Sequence, residues 1–559
     1  MSPRTPRRRL LRTAGSTLAF AVVAAVATLA GSVSPAAATS FVPVTGDGSS
    51  WSAGALDQWI ADVHADGIQI NYAADGSSTG RQNFILGQSD FAASDIPFQT
   101  SPGDGSAPEH PKVGAYAYMP ITAGGTVFMY NLKINGQRVT NLRLSGANVT
   151  KIFTGAITNW SDPALAADNP GLQLPNQSIV PVVRADGSGT SYELSEWMIS
   201  QNGGLWNSFC AKAGRAPACG ATSNYPTTTG MIAQNGDLGV ASYVSQAFAS
   251  GSIGYVNYYY ALASKFPVAQ VLNSAGYYTQ PTPQNVAVSL LQDQVDTTDV
   301  NNPALYLTQK LEGVYTDPDP RSYPLSSYGY LILPTTVGNS FTTAKGATLA
   351  AFSYYAMCQG QQQSAALGYS PMPINLVQAA FTQIAKIPGA NVQSINIQQC
   401  NNPTFSPSGV NLLAQTAPNP PACDKQGPLQ CTTGTGGAVA IITVPSKGGT
   451  SSTGGTTGTG STTATTGPGG KTGANATGSG ATSGSGSTTA ASCDPSTGAC
   501  SSSGSGSTSI DPTAATVTLA AGKGWTSTQT LLLLIGLALL AILLIPGLLS
   551  RRLDRRRSS

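Results

Sequence analysis

Charge is scarce in this chain. Only 9% of its 559 residues are Asp, Glu, Lys or Arg, and the formal net charge is +3. Most of the arginine excess lies at the two ends, which points to membrane targeting and gives no electrostatic case for nucleic acid. Histidine is scarcer still, with only His64 and His110 present. His64 falls on a predicted helix and His110 in a proline-rich loop, so both are expected at the surface. A Ser-His-Asp nucleophile system at Ser188 therefore lacks an evident base, and the strained Gly-x-Ser-x-Gly elbow is absent there. No His/Asp cluster suggests a metallophosphatase. The chain is not expected to be an enzyme, and neither a metal nor a cofactor is expected. The tight CxxC spacing of structural zinc is also absent.

The eight cysteines suit disulfides in an exported protein. Cys210/Cys219, Cys423/Cys431 and Cys493/Cys500 are close pairs with Gly or Pro between them, which leaves Cys358/Cys400. Residues 1–39 read as a secretory signal. Arg4, Arg7, Arg8 and Arg9 form its basic region, Leu18 to Leu29 its apolar core, and Ala36-Ala-Ala38 its cleavage site. Either the general secretory or the twin-arginine route fits. Leu29-Ala-Gly-Ser32 lacks the cysteine of a lipoprotein box, so lipidation there is excluded. Residues 434–524 are mostly Gly, Ser, Thr and Ala and are expected to be a disordered linker. Leu531 to Leu549 is apolar for just long enough to cross a bilayer as one transmembrane helix. It is followed by a basic tail, 550–559, expected in the cytoplasm. No Leu-Pro-x-Thr-Gly sorting sequence precedes it. The protein is thus expected outside the cell, anchored to the membrane by its C-terminus.

Between these ends the organising stretch is Val182-Val-Arg-Ala-Asp-Gly-Ser-Gly-Thr-Ser-Tyr-Glu193. A buried strand is predicted before it and a helix after it. Thr190 followed by Glu193 fits a capping box, which places the helix N-terminus directly after the glycines. Free backbone N–H groups there, aided by the helix dipole, make an anion site. Arg184 can pair with two oxygens and the glycines allow close approach. By itself the stretch is equally a surface loop with a good cap. Strand, polar loop and helix units recur: Ile68 to Tyr72 reads as a strand, and helices are expected at Ser52 to Val63 and Arg81 to Leu86. The pattern predicts an α/β fold with parallel strands, whose ligands gather at strand carboxyl ends.

The wider pattern resembles the phosphate-binding proteins of bacterial ABC importers. It is carried by Arg184-Ala-Asp-Gly-Ser-Gly-Thr-Ser191, by Gly155-x-Ile157-x-x-Trp160-x-Asp162-Pro163 and by Asn169-Pro-Gly-Leu-x-Leu-Pro175. Thr45-Gly-x-Gly-Ser-Ser-Trp51, Ile70-Asn-Tyr72 with Gly76-Ser-Ser78, and Asp90-Phe-x-Ala-Ser-Asp95-x-Pro97 match in order before them. Ile253-Gly-Tyr-Val256 and Leu367-Gly-Tyr-Ser-Pro-Met-Pro373 match after them. The resemblance covers about residues 40–400. It implies a two-lobed periplasmic-binding-protein fold of type II, with the ligand in the interlobe cleft. Lobe 1 would comprise 40–121 and 327–400 and lobe 2 would comprise 122–326, with crossings at Met119 to Asn131 and Tyr323 to Tyr330. Residues 401–433 lie beyond the family core as a Cys/Pro-rich extension.

The resemblance also implies the ligands of inorganic phosphate: Ser50, Trp51, Ser77, Asp95, Arg184, Asp186, Ser188, Gly189 and Thr190. The family has Thr-Phe where this chain has Ser50-Trp51, so the hydroxyl survives and the larger indole bears on closure. Hydroxyls of Ser50, Ser77, Ser188 and Thr190 can donate to phosphate oxygens, as can main-chain N–H groups of Trp51, Gly189 and Thr190. Arg184 supplies the cation, oriented by Asp186. Asp95 suits a ligand that brings a proton, as phosphate does and sulfate does not. Without the other motifs Asp95 would read as a helix N-cap before Ile96-Pro97. The implied function is delivery of phosphate to the permease subunits of an ABC importer. The alternative is a surface-anchored phosphate sensor or adhesion protein.

Overall fold

The computed structural model describes residues 41–435, apart from 113, 216–218, 394, 401 and 407–409. The expected signal peptide, transmembrane helix and tail, the linker beyond Thr435 and the Cys493/Cys500 pair lie outside the described residues.

The main sheet has eight strands: β1 (Val44–Gly48), β2 (Ile70–Ala73), β3 (Phe91–Ser94), β4 (Tyr116–Tyr130), β5 (Val180–Arg184), β6 (Ile232–Gln234), β7 (Ser252–Asn257) and β8 (Ser326–Pro334). Their order is β2-β1-β3-β8-β4-β7-β5-β6. β1 pairs in parallel with β2 and β3, and β5 pairs in parallel with β6 and β7. Each parallel set is the α/β architecture that alternating strands and helices demand.

Two strands join the sets. All fifteen residues of β4 are buried, with no charge among them. From Tyr116 to Gly125 it pairs antiparallel with β8, and from Thr126 to Tyr130 with β7. One strand therefore serves two lobes, each with its own core. One core draws buried residues from between Val44 and Ala123 and between Tyr328 and Ile387. The other draws them from between Val127 and Leu325, around Trp160, Trp197 and Trp206.

The site-bearing helices are α1 (Ala53–His64), α2 (Ser77–Leu86), α3 (Gly189–Lys212, kinked at Asn202) and α4 (Gly236–Val244). α1 buries Leu56, Trp59 and Val63 on one face; of the helical spacing Leu56, Ile60 and Val63 in the sequence, Ile60 is only half-buried and Trp59 fills the core. α2 starts at Ser77, earlier than its apolar pattern at Arg81 suggests, because Gly76 takes a φ of 106° and starts the turn. His64 and His110 are exposed, as expected.

Cys210–Cys219, Cys358–Cys400 and Cys423–Cys431 form disulfides. The extension after Cys400 leaves lobe 1, where Asn402 bonds the Met372 carbonyl at 2.9 Å, and packs on lobe 2. There the buried Arg143 guanidinium donates to the carbonyls of Leu429 (2.9 Å) and Cys423 and to Asp424 (3.1 Å). Thr435, the second residue of the expected linker, is also buried, and its hydroxyl oxygen accepts from Val268 N–H at 3.0 Å. The extension is thus a third connection between the lobes, continuous with lobe 1 through the chain and held to lobe 2 by hydrogen bonds and the Arg143–Asp424 ion pair. Among the described residues, no helix is long and apolar enough to cross a membrane.

Candidate functional site

Five polar loops meet where the carboxyl ends of β1, β2, β3, β5 and β6 face one another. The first three come from one lobe and the last two from the other. Glycine permits the approach. At Gly48, with φ of 129°, a Cβ would sit 2.1 Å from the Ala93 carbonyl oxygen. A Cβ on Gly187 would lie 2.5 Å from Ser78 Cβ, and one on Gly189 would lie 2.7 Å from Asp95 Cβ. Those two positions are where the lobes touch, and Ser78 N–H donates across the cleft to Gly187 O at 2.9 Å.

Asp95 lies at the centre, 2% exposed. No helix follows it, so it caps nothing. Its Oδ1 accepts from Ser49, and its Oδ2 accepts from Ser77 and Thr190, each at 3.2 Å. Burial pushes its carboxyl up to about 6, and Asp237 adds to the rise against the Ser49 and Thr190 bonds and Arg184. Gln309 Nε2 reaches the Asp95 carbonyl at 3.2 Å and Glu193 at 3.0 Å. The Glu193 carboxyl is itself held well above the ordinary range by burial and by Asp95.

Arg184 ends β5 and is buried. Its Nε donates to Asp186 Oδ1 at 2.8 Å and its Nη2 to Asp186 Oδ2, so the two-pronged grip expected for ligand oxygens falls here on the carboxylate expected to orient it. Burial works against its charge, and Asp237 and Asp186 more than restore it, so the guanidinium stays ionised. Asp186 is raised by burial but carried below the carboxylate range by Arg184 and by Gly236 N–H.

The capping box is corrected. The N-cap of α3 is Ser188, whose hydroxyl oxygen accepts from Ser191 N–H at 3.2 Å, and the helix begins at Gly189. Thr190 is thereby inside the helix, with its hydroxyl turned to Asp95. Glu193 points to Ser327 Oγ at 2.8 Å on β8 instead of back to the cap. The tertiary partner supersedes the local one.

Seven of the nine expected residues share this cluster directly: Ser50, Ser77, Asp95, Arg184, Asp186, Gly189 and Thr190. Ser188 adjoins it as the cap. Trp51, expected to contribute its main-chain N–H, follows Ser50 in the same loop, and its indole points away into the crossing strand. Its Nε1 donates to Thr126 Oγ1 at 3.1 Å, and its ring meets Tyr369 edge-on at 5.8 Å. The indole that departs from the family's Phe thus packs at the crossing between lobes.

Sequence reasoning missed Ser49 and Asp237. Asp237 is wholly buried in the first turn of α4. Its Oδ2 accepts from both Ser50 Oγ and Arg184 Nη1 at 2.6 Å, and its Oδ1 from Asn257 N–H at 2.7 Å. The signal was there in Asn235-Gly236-Asp237, a fifth polar loop between a strand and a helix. Chemically the cluster offers hydroxyls, helix N-terminal N–H groups and one guanidinium, set against several carboxylates. Such a mixture suits an oxyanion that both accepts and donates hydrogen bonds.

Comparison with known proteins gives a consistent result. The PBP superfamily domain matches residues 23–359. The phosphate-binding protein PstS of Xylella fastidiosa (strain Temecula1) is 32% identical over 344 residues, which is 61% of this chain and 84% of the relative. That of Haemophilus influenzae is 29% identical over 341 residues, 61% of this chain and 92% of the relative. A solved phosphate-binding protein from Stenotrophomonas maltophilia is 22% identical with a TM-score of 0.45, covering 66% of this chain and 99% of that one.

Proposed function

Because the chain belongs to the PBP superfamily, and within it to the PstS phosphate-binding proteins, we propose that its interlobe cluster binds inorganic phosphate for delivery to a phosphate importer. The observation that carries this reading is the cluster around Asp95 and Arg184. A buried carboxyl with three hydroxyl partners can accept the ligand's proton, while the guanidinium and helix N-termini take its oxygens. Ser50, Trp51 through its main-chain N–H, Ser77, Asp95, Arg184, Asp186, Ser188, Gly189 and Thr190 form the phosphate set. The lobes change over at 121/122 and 326/327, close to where β4 and β8 cross. Binding rather than catalysis fits the site, since neither histidine lies in it.

The protein works outside the cytoplasm, exported by residues 1–39 and anchored by a helix at 531–549, with residues 436–524 as the tether, since Thr435 packs on lobe 2. The basis is the sequence pattern of those segments. Its partners are the permease subunits of an ABC importer. Uptake of radiolabelled phosphate in cells lacking the gene tests delivery. Restoration by the wild-type chain, but not by the Arg184→Ala variant, is the expected result. Unimpaired uptake without the gene would favour the sensor or adhesion alternative.

A further inference from the structure

Two donors in the phosphate set are already spoken for by a residue outside it. The Ser50 hydroxyl and Arg184 Nη1 both donate to one oxygen, Asp237 Oδ2, at 2.6 Å each. Asp237 N–H donates back to Ser50 Oγ at 3.0 Å. Ser50 belongs to the β1 loop and Asp237 to α4, so this reciprocal pair spans the cleft. A single oxygen receiving a hydroxyl from one lobe and a guanidinium from the other has the surroundings expected of a ligand oxygen.

We propose that Asp237 is the resident anion of the phosphate site, a specificity-determining residue whose charge competes with the ligand for Ser50 and Arg184. The inference rests on the phosphate-binding reading above and deepens it. The charge count is the reason. Arg184 is the cation of the cluster, and Asp186 and Asp237 together outnumber it by one. An added oxyanion therefore meets an already overcompensated guanidinium and is held through hydrogen bonds rather than net attraction. The more negative the ligand, the less it gains. Asp237 is faced by Arg184 and Asp95 and by the phenols of Tyr260 and Tyr369. Burial keeps both phenols neutral, so neither offsets its charge.

Calorimetric titration of the full chain with inorganic phosphate, then sulfate, across the pH range where phosphate loses its second proton tests this. Asp237→Asn keeps the volume and removes the charge, and Asp237→Ala removes both. Either variant is expected to bind phosphate about tenfold more tightly. Each should also lose less affinity as pH rises than the wild type, and admit more sulfate. Ser50→Ala, which leaves the charge in place, should bind more weakly and keep the wild-type pH profile. Weaker or equal binding in both Asp237 variants with an unmoved pH profile would overturn the inference and leave phosphate binding standing. A wild-type chain that does not bind phosphate would overturn the reading beneath it as well.

Discussion

The Thr190 hydroxyl donates to Asp95 Oδ2 at 3.2 Å, joining the first turn of α3 in one lobe to the loop after β3 in the other. The same carboxylate oxygen receives the Ser77 hydroxyl. Asp95 is thus the point at which the two halves of the site are tied together, and its titration couples the cleft to pH.

Asp95 titrates at about 6 in the folded chain. Its unfolded value is about 3.9. The folded state therefore binds the proton more tightly, and this group lowers stability as pH rises from about 4 through 6. The loss is up to about 3 kcal/mol. Asp95→Asn should flatten the slope of unfolding free energy against pH over that window. An unchanged slope would assign the proton elsewhere, for instance to Asp75, which burial also raises to about 6. The same variant should erode discrimination against sulfate, because an amide no longer penalises an oxyanion without a proton.

Arg184→Ala removes the guanidinium that satisfies both Asp186 and Asp237. Phosphate binding should weaken by about tenfold or more, as expected for a charged hydrogen-bonding partner. Arg184→Lys should restore only part of the loss, since an ammonium cannot grip Asp186 with two prongs. Unchanged affinity in Arg184→Ala, measured by calorimetry, would remove Arg184 from the site.

Gly189→Ala places a methyl 2.7 Å from Asp95 Cβ and 2.9 Å from Ser77 Oγ. Overpacking of this kind costs about 1–3 kcal/mol. Here it falls on the meeting of the lobes, so phosphate affinity should drop about tenfold or more while circular dichroism stays that of the folded protein. Wild-type affinity would show that the lobes need not approach this closely.

Arg143→Ala strips the extension of its anchor and leaves Asp424 and two carbonyls without their donor. A loss of about 3 kcal/mol is expected, the scale of breaking a buried ion pair. Scanning calorimetry should show the lower midpoint, and the 411–435 segment should become sensitive to protease. Resistance equal to the wild type would mean that the Cys423–Cys431 loop holds itself in place.

Much of this was legible in the residues, and what was missed shares one cause. Strand, glycine loop and helix succession marked the stretch around Arg184 as a candidate anion site, whereas the loops around Ser50, Ser77 and Asp95 were assigned through the family resemblance. The Arg184–Asp186 pair was legible since two residues on one loop are close whatever the fold. Asp237 was not, because its partners Ser50 and Arg184 lie 187 and 53 residues away. Glu193 was misread for the same reason, since a local rule paired it with Thr190 while the fold supplied Ser327. Trp51 had no local sign of its hydrogen bond to Thr126 at the strand crossing.

Calorimetric titration of the full chain, stripped of ligand, with phosphate and then sulfate at neutral pH tests the central claim most directly. One phosphate per chain with sulfate excluded is the predicted result. Folded protein that takes up no phosphate, or takes sulfate equally well, would contradict it.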